Sequence, residues 1–188
     1  MVIVWLLVAL VLLIALYLVF AYNSLVRVRN RIENGWAQIE VQLKRRHDLI
    51  PNLVESVKGY AAHERDTLER VITARNAAMQ AGAGGAANAA TAAQAESGLG
   101  ATLKSLFALS EAYPDLKANQ NFLNLQEELS STEGKIAYAR QYYNDEVRSY
   151  NTRTQSFPSS LLAKRFKFMA REYFQADEAE RGPVDVKF

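Results

Sequence analysis

The stretch "KRRHDLIPNLVESVKGY", residues 44–60, sets a proline inside what otherwise reads as an amphipathic helix. A proline in a helix interior removes one hydrogen bond and crowds the preceding turn, at a cost of about 3 kcal/mol. Outward from Pro51, apolar residues recur at Leu25, Val28, Ile32, Trp36, Ile39, Leu43, Ile50, Leu53, Val57 and Tyr60. The steps are of three and four, the spacing of a packed helical stripe, with one gap at Arg46. The phase is the same on both sides of Pro51. A true break would reset it, so the pattern predicts that Pro51 kinks a continuous helix rather than ending it. Lys58 and Gly59 then have the form of a helix end, a cation in the last turn with glycine just beyond. The stripe continues through Glu64, Leu68, Val71, Arg75 and Met79, and a turn or sharp bend is expected between Gly59 and His63.

Upstream, "VIVWLLVALVLLIALYLVF", Val2 to Phe20, has no charge, glycine or proline. At 1.5 Å rise per residue, about 19 residues reach roughly 28 Å, close to the ~30 Å hydrocarbon core of a bilayer. Trp5 near one end, with Tyr17 and Tyr22 near the other, stand where interfacial aromatics belong. A cleaved signal peptide would carry a basic leading region and a small-residue cleavage site, and this stretch has neither. A membrane anchor over 1–22 is therefore expected, bracketed by Val2, Trp5, Phe20 and Tyr22. Arg27, Arg29 and Arg31 follow it closely, which favours a cytoplasmic body with Met1 outside. "AYNSLVRVRNRIEN" contains no helix breaker, so the span should run straight into the first helix of the body.

The chain has 188 residues, 22 basic against 20 acidic, which suits one domain plus an anchor. A net charge of +2, with acids interspersed among the bases of Arg27–Arg46, argues against a nucleic-acid partner. The absence of cysteine excludes disulfides, thiolate metal sites and cysteine nucleophiles. Alanine, leucine, glutamine and charged residues dominate and β-type alternation is missing, which defines an all-α protein. Residues 81–100, "AGAGGAANAATAAQAESGLG", read as a connector over 81–98 whose alanine-rich middle has the composition to extend a helix. Phosphate-loop spacing is absent from it. "LGATLKSLFALSEAY" reads as a short helix closed by Pro114. From Pro114 a long helix follows, with a stripe at Phe122, Leu125, Leu129, Ile136, Ala139, Tyr143, Val147, Tyr150 and Phe157, stopped by Pro158. Two long helices with two shorter ones between them predict an up-and-down antiparallel four-helix bundle over 23–157. The tail, 158–188, has a short amphipathic helix pattern and an extended "PVDVKF" end.

Three features invite a chemical reading. His47-Asp48 and His63-Glu64 are sequence neighbours whose side chains point apart on a helix, and no further ligand is spaced to complete a metal site. Polar surface or buried hydrogen bonding is the expectation for both. Glu133, Lys135 and Arg140 lack the Glu-x-x-His pairs of a di-iron bundle, so an intrahelical salt network is expected. Tyr138, Tyr142, Tyr143, Tyr150 and Phe157 read as core with an amphipathic rim rather than a ligand wall. No nucleophile stands with a base in a motif. The sequence thus predicts a non-enzymatic scaffold or interaction module without cofactor or metal, with Arg45, Arg46 and Asp48 as an exposed surface for a protein partner. The alternative is a membrane-associated hydrolase or metal enzyme with its site hidden in the bundle. That would need polar groups converging inside the stripe, where only Arg46 and Arg75 intrude. The stripe also begins directly beyond the membrane, before a bundle has room to cover it. Leu25, Val28, Ile32 and Trp36 are therefore predicted to pair with neighbouring copies in a homo-oligomer. The span, with only Ala9 and Ala15 as small residues, should contribute less.

The blocks "YNSLVRVRNRIENGWAQIEVQLKRRHDLIPNLVESVKGYAAHE", "LQEELSSTEGKIAYARQYYNDEVRSYN", "FPSSLLA" and "PVDVKF" together resemble the LemA family of bacterial membrane-anchored proteins. The likeness covers nearly all of the chain outside the alanine and glycine connector. It implies one N-terminal helix in the bacterial cytoplasmic (inner) membrane, carrying a cytoplasmic helical bundle; an enzymatic activity does not follow from it, because the family's biochemical role is poorly defined. One departure is "RFKF", Arg165 to Phe168, where the resemblance leads one to expect glycine before the second aromatic.

Overall fold

The computed structural model describes residues 1–61 and 63–175. Its helices are α1 (Val2–Lys58), α2 (Arg65–Gly82), α3 (Ala89–Ser110), α4 (Pro114–Lys117), α5 (Gln120–Gln155) and α6 (Ser159–Arg165). A 3₁₀ turn, Gly85–Asn88, joins α2 to α3, and no strand occurs among the described residues. The expected extended end at 183–188 lies outside them.

α1 is one uninterrupted helix of 57 residues, about 85 Å long. It runs through Pro51 without a break, as the unchanged phase of its stripe requires. It ends where Lys58 and Gly59 predicted, and the chain turns before α2 begins at Arg65. From Val2 to Phe20 every side chain is exposed, and Ala21 is the first to be buried. α5 lies along α1 with partner numbers falling as those of α1 rise. Arg153 donates to Ser24, Arg31 pairs with Glu146 at 3.5 Å, Arg45 with Glu128 at 3.2 Å, and Asn119 donates to Tyr60 at 2.9 Å. At Gly35 a Cβ would stand 3.3 Å from the Tyr142 ring and 3.4 Å from the Tyr143 backbone, so the absence of a side chain is what admits α5 here. α2 and α3 form a hairpin whose α2 packs on α1.

Two expectations change. The alanine and glycine segment is mostly regular, since α2 runs to Gly82 and α3 starts at Ala89. Alanine has the highest helix propensity, and the small faces of Ala78, Ala89, Ala92 and Ala93 are buried against neighbours. The long helix does not begin at Pro114. Pro114 opens the single turn α4, and α5 starts afresh at Asn119, whose side chain accepts the Phe122 backbone N–H at 3.1 Å as an N-cap.

After α6 the chain returns across α1 and α5. Asn151 and Asn144 each grip it with both amide atoms, Asn151 on the backbone of Arg171 and Asn144 on that of Phe174, at 2.9 to 3.2 Å. Lys167 enters this return with φ +57°, the left-handed region that favours glycine. It is the position in "RFKF" where glycine was expected.

Candidate functional site

The apolar interior divides into two clusters. One, nearer the apolar end of α1, contains Leu43, Ala93 and Ile136; the other contains Ile50, Leu99 and Leu129. Between them each of the three helices places polar groups: Arg46 and His47 on α1, Glu96 on α3, Thr132 and Glu133 on α5. His47 Nε2 lies 2.7 Å from Glu96 Oε1, and Arg46 Nη1 lies 3.4 Å from Glu96 Oε2 and 3.3 Å from Glu133 Oε2. Arg46, His47 and Glu96 are 6, 7 and 6% exposed, so their polar atoms are held by one another rather than by water.

The proline belongs to the same layer. Pro51 has no N–H, so the His47 carbonyl one turn earlier loses its intrahelical donor. Arg75 of α2 supplies another, its Nε donating to His47 O at 2.7 Å. The proline thereby exposes an acceptor through which α2 is docked on α1.

Of the surface predicted for a partner, Arg45 and Asp48 are exposed and Arg46 is not. This corrects the sequence reading: Arg46 follows Lys44 and Arg45 in a basic run, but it faces inward where the stripe has its gap. Asp48 takes a 2.8 Å hydrogen bond from Lys44, which holds its carboxyl below the usual range. His63 is exposed, while His47 is the hydrogen-bonded interior histidine. Glu133 bonds across to Arg46 rather than within its own helix, which corrects the intrahelical network expected with Lys135 and Arg140. Tyr143 and Tyr150 are core, but Tyr138 and Phe157 are exposed. Burial pushes the Tyr143 phenol up to about 12 and raises that of Tyr150 as well.

The largest correction concerns Leu25, Val28, Ile32 and Trp36. These are 1, 0, 0 and 4% exposed within a single chain. The C-terminal part of α5 and the returning tail cover them: Trp36 packs edge-on against Tyr143 and Phe174, with centroids 5.7 and 5.8 Å apart. Val2, Trp5 and Phe20 are exposed. Tyr22, expected at the membrane interface, packs edge-on against Phe166 and Phe168 at 5.0 and 5.7 Å. Sequence reasoning missed Glu96, whose signal was available: it is the single charge in residues 81–100. The amphipathic pattern read over the tail is helical only as far as Arg165, and Phe168 and Phe174 are buried beyond the helix.

An apolar helix long enough to cross a membrane, continuous with a helical body built on a buried polar layer, defines a membrane-associated helical protein. The chain belongs to the LemA family, whose model matches residues 35–188. It is 30% identical to Protein LemA of Metamycoplasma hominis over 164 residues, 87% of this chain and 73% of the relative. It is also 26% identical to Magnetosome protein MamQ 2 of Paramagnetospirillum magneticum and 25% to Magnetosome protein MamQ of Magnetospirillum gryphiswaldense, each across 89% of this chain and 69% of the relative.

Proposed function

We propose that this chain is a non-enzymatic, membrane-anchored protein whose helices form an antiparallel four-helix bundle and present an interaction surface at the cytoplasmic face of the inner membrane. The observation that supports this reading is the continuity of α1, which carries the apolar span and the spine of the body as one helix. A surface built on that spine keeps a fixed height and orientation relative to the bilayer. Arg27, Arg29 and Arg31, directly after the span, favour the cytoplasmic side. The imidazole and carboxylate best suited to chemistry, His47 and Glu96, are committed to each other and to Arg46. Partners, whether other proteins or further copies of the chain, meet the polar outer face around Lys44, Arg45 and Asp48, not the covered stripe at Leu25–Trp36.

Orientation is tested with single cysteines in the cysteine-free chain. A membrane-impermeant maleimide should label Val2→Cys in intact cells, and Arg70→Cys only after permeabilisation. Labelling of Arg70→Cys in intact cells refutes the cytoplasmic body. The interaction surface is tested by photo-crosslinking from position 44 in native membranes. Wild type should give a discrete crosslinked species, a partner or a second copy, that Arg45→Glu with Asp48→Lys abolishes. Absence of any such species refutes the scaffold reading.

A further inference from the structure

Among the described residues beyond Tyr22, nine large apolar side chains are exposed, and four of them fall between positions 157 and 169. Phe157, Leu161, Phe166 and Met169 are 80, 62, 52 and 78% exposed, a concentration of apolar surface that calls for a partner. The stretch reads "SFPSSLLAKRFKFM", residues 156–169, and it holds three cations and no acid. Lys164, Arg165 and Lys167 are all exposed, and none has an ion pair with a described residue. The Arg165 guanidinium lies over the Phe166 ring at 6.0 Å, so cation and ring are presented together.

Both ends of this stretch are pinned level with the end of the apolar span. Arg153 of α5 donates to Ser24, and the helix continues toward the span to Gln155, which brings it level with Tyr22. At the other end the rings of Phe166 and Phe168 stand against Tyr22, with centroids 5.0 and 5.7 Å away. Tyr22 lies only about 3 Å along α1 from Phe20, the last residue of the apolar run. α6 therefore sits where the span passes from hydrocarbon to headgroups. Arg27, over the Phe20 ring at 5.8 Å, brings a fourth cation to the same level. Rings and leucine suit the acyl boundary, and lysine and arginine suit the phosphates just above it. We propose that α6 and its flanks, residues 156–169, form a second membrane contact, seated on anionic lipid headgroups. This rests on the reading of α1 as a membrane anchor. A single span leaves the body free to turn about α1, whereas a second contact fixes which face looks along the bilayer.

Fluorescence quenching in the full-length, cysteine-free chain tests this. Single cysteines at Leu161, Met169, Ile14 and Arg70 carry a small fluorophore, and the protein is reconstituted in vesicles whose lipids bear a quencher near the head of the acyl chain. All four side chains are exposed, so the label displaces no packed group. Leu161→Cys and Met169→Cys should be quenched strongly, as Ile14→Cys in the span is, while Arg70→Cys on α2 should not. Quenching at 161 and 169 should be about twofold stronger in vesicles of phosphatidylcholine with phosphatidylglycerol than in phosphatidylcholine alone. Lys164→Glu with Lys167→Glu should remove that difference and leave quenching at Ile14→Cys unchanged. Quenching at 14 with none at 161 and 169 overturns the proposal while the anchor stands. No quenching at 14 overturns the anchor and the second contact together. Equal quenching at 161 and 169 in the two kinds of vesicle overturns the assignment to anionic headgroups.

Discussion

Pro51 gives up one helical hydrogen bond, and the carbonyl it leaves open is where Arg75 docks. That exchange is measurable as coupling. Arg75→Ala should cost about 1 kcal/mol in the wild-type chain, because the His47 carbonyl is then left without a donor. With Pro51→Ala the helix supplies its own donor, so the same Arg75→Ala change should cost about 0.5 to 1 kcal/mol less. Circular dichroism should show unchanged helix content for Pro51→Ala, and chemical denaturation should give the four corners of the cycle. Additive effects would mean that Arg75 does not answer the proline. Glu96 makes the larger claim. It pairs with the buried Arg46 guanidinium and shares a hydrogen bond with His47, so Glu96→Ala should lower stability by about 3 to 5 kcal/mol, the cost of breaking a buried pair. Lys44→Ala, in an exposed pair with Asp48, should leave the melting midpoint where it is. A Glu96→Ala protein that melts like wild type would remove the polar layer from any account of the fold.

Among the elements, the returning tail is held chiefly by α5. Tyr143 donates to the Glu172 carbonyl at 3.0 Å, from a site where burial pushes its phenol to about 12. The unfolded value is near 10, so on raising the pH the unfolded chain loses this proton first. Stability should be intact below about pH 10 and decline from there toward pH 12, with Tyr150 acting in the same direction. Tyr143→Phe should flatten that decline in melts between pH 9 and 11, and an unchanged slope would place the alkaline loss elsewhere. α1 and α5 were legible in the sequence because their three-four stripes persist through dozens of residues and through Pro51. α3 was legible only in composition, since alanine serves a connector and a helix alike until packing decides. The tail was illegible beyond α6 because its Phe168 and Phe174 act singly, held by asparagine side chains from another element. Arg46 was misread because a basic run suggests solvent, although the gap it fills in the stripe marked it as inward-facing.

For the whole molecule, the decisive contact is between the beginning and the end of the described chain. Leu25, Val28 and Ile32 emerge from the apolar span, and nothing local in sequence covers them. What covers them comes from more than a hundred residues later, from Val147 and Tyr150 of α5 and from Phe168 beyond α6. Arg29 lies over the Phe168 ring at 5.5 Å and Arg171 bonds Glu33 at 2.8 Å, closing the same junction from its rim. Local reasoning therefore assigned this stripe to a second copy, whereas the chain closes on itself. The two arrangements predict opposite behaviour for Leu25→Glu with Ile32→Glu. If the stripe were an interface between copies, the variant would dissociate while its body stayed folded. With the stripe buried inside one chain, each change puts an unpaired carboxylate into an apolar site, so the body itself should lose several kcal/mol of stability. Thermal melts and light scattering of the full-length protein in detergent separate the outcomes. We expect a melting midpoint many degrees lower, with loss of the near-ultraviolet signal of Trp36. A variant with an unchanged midpoint and a smaller particle would return Leu25–Trp36 to the surface of an oligomer.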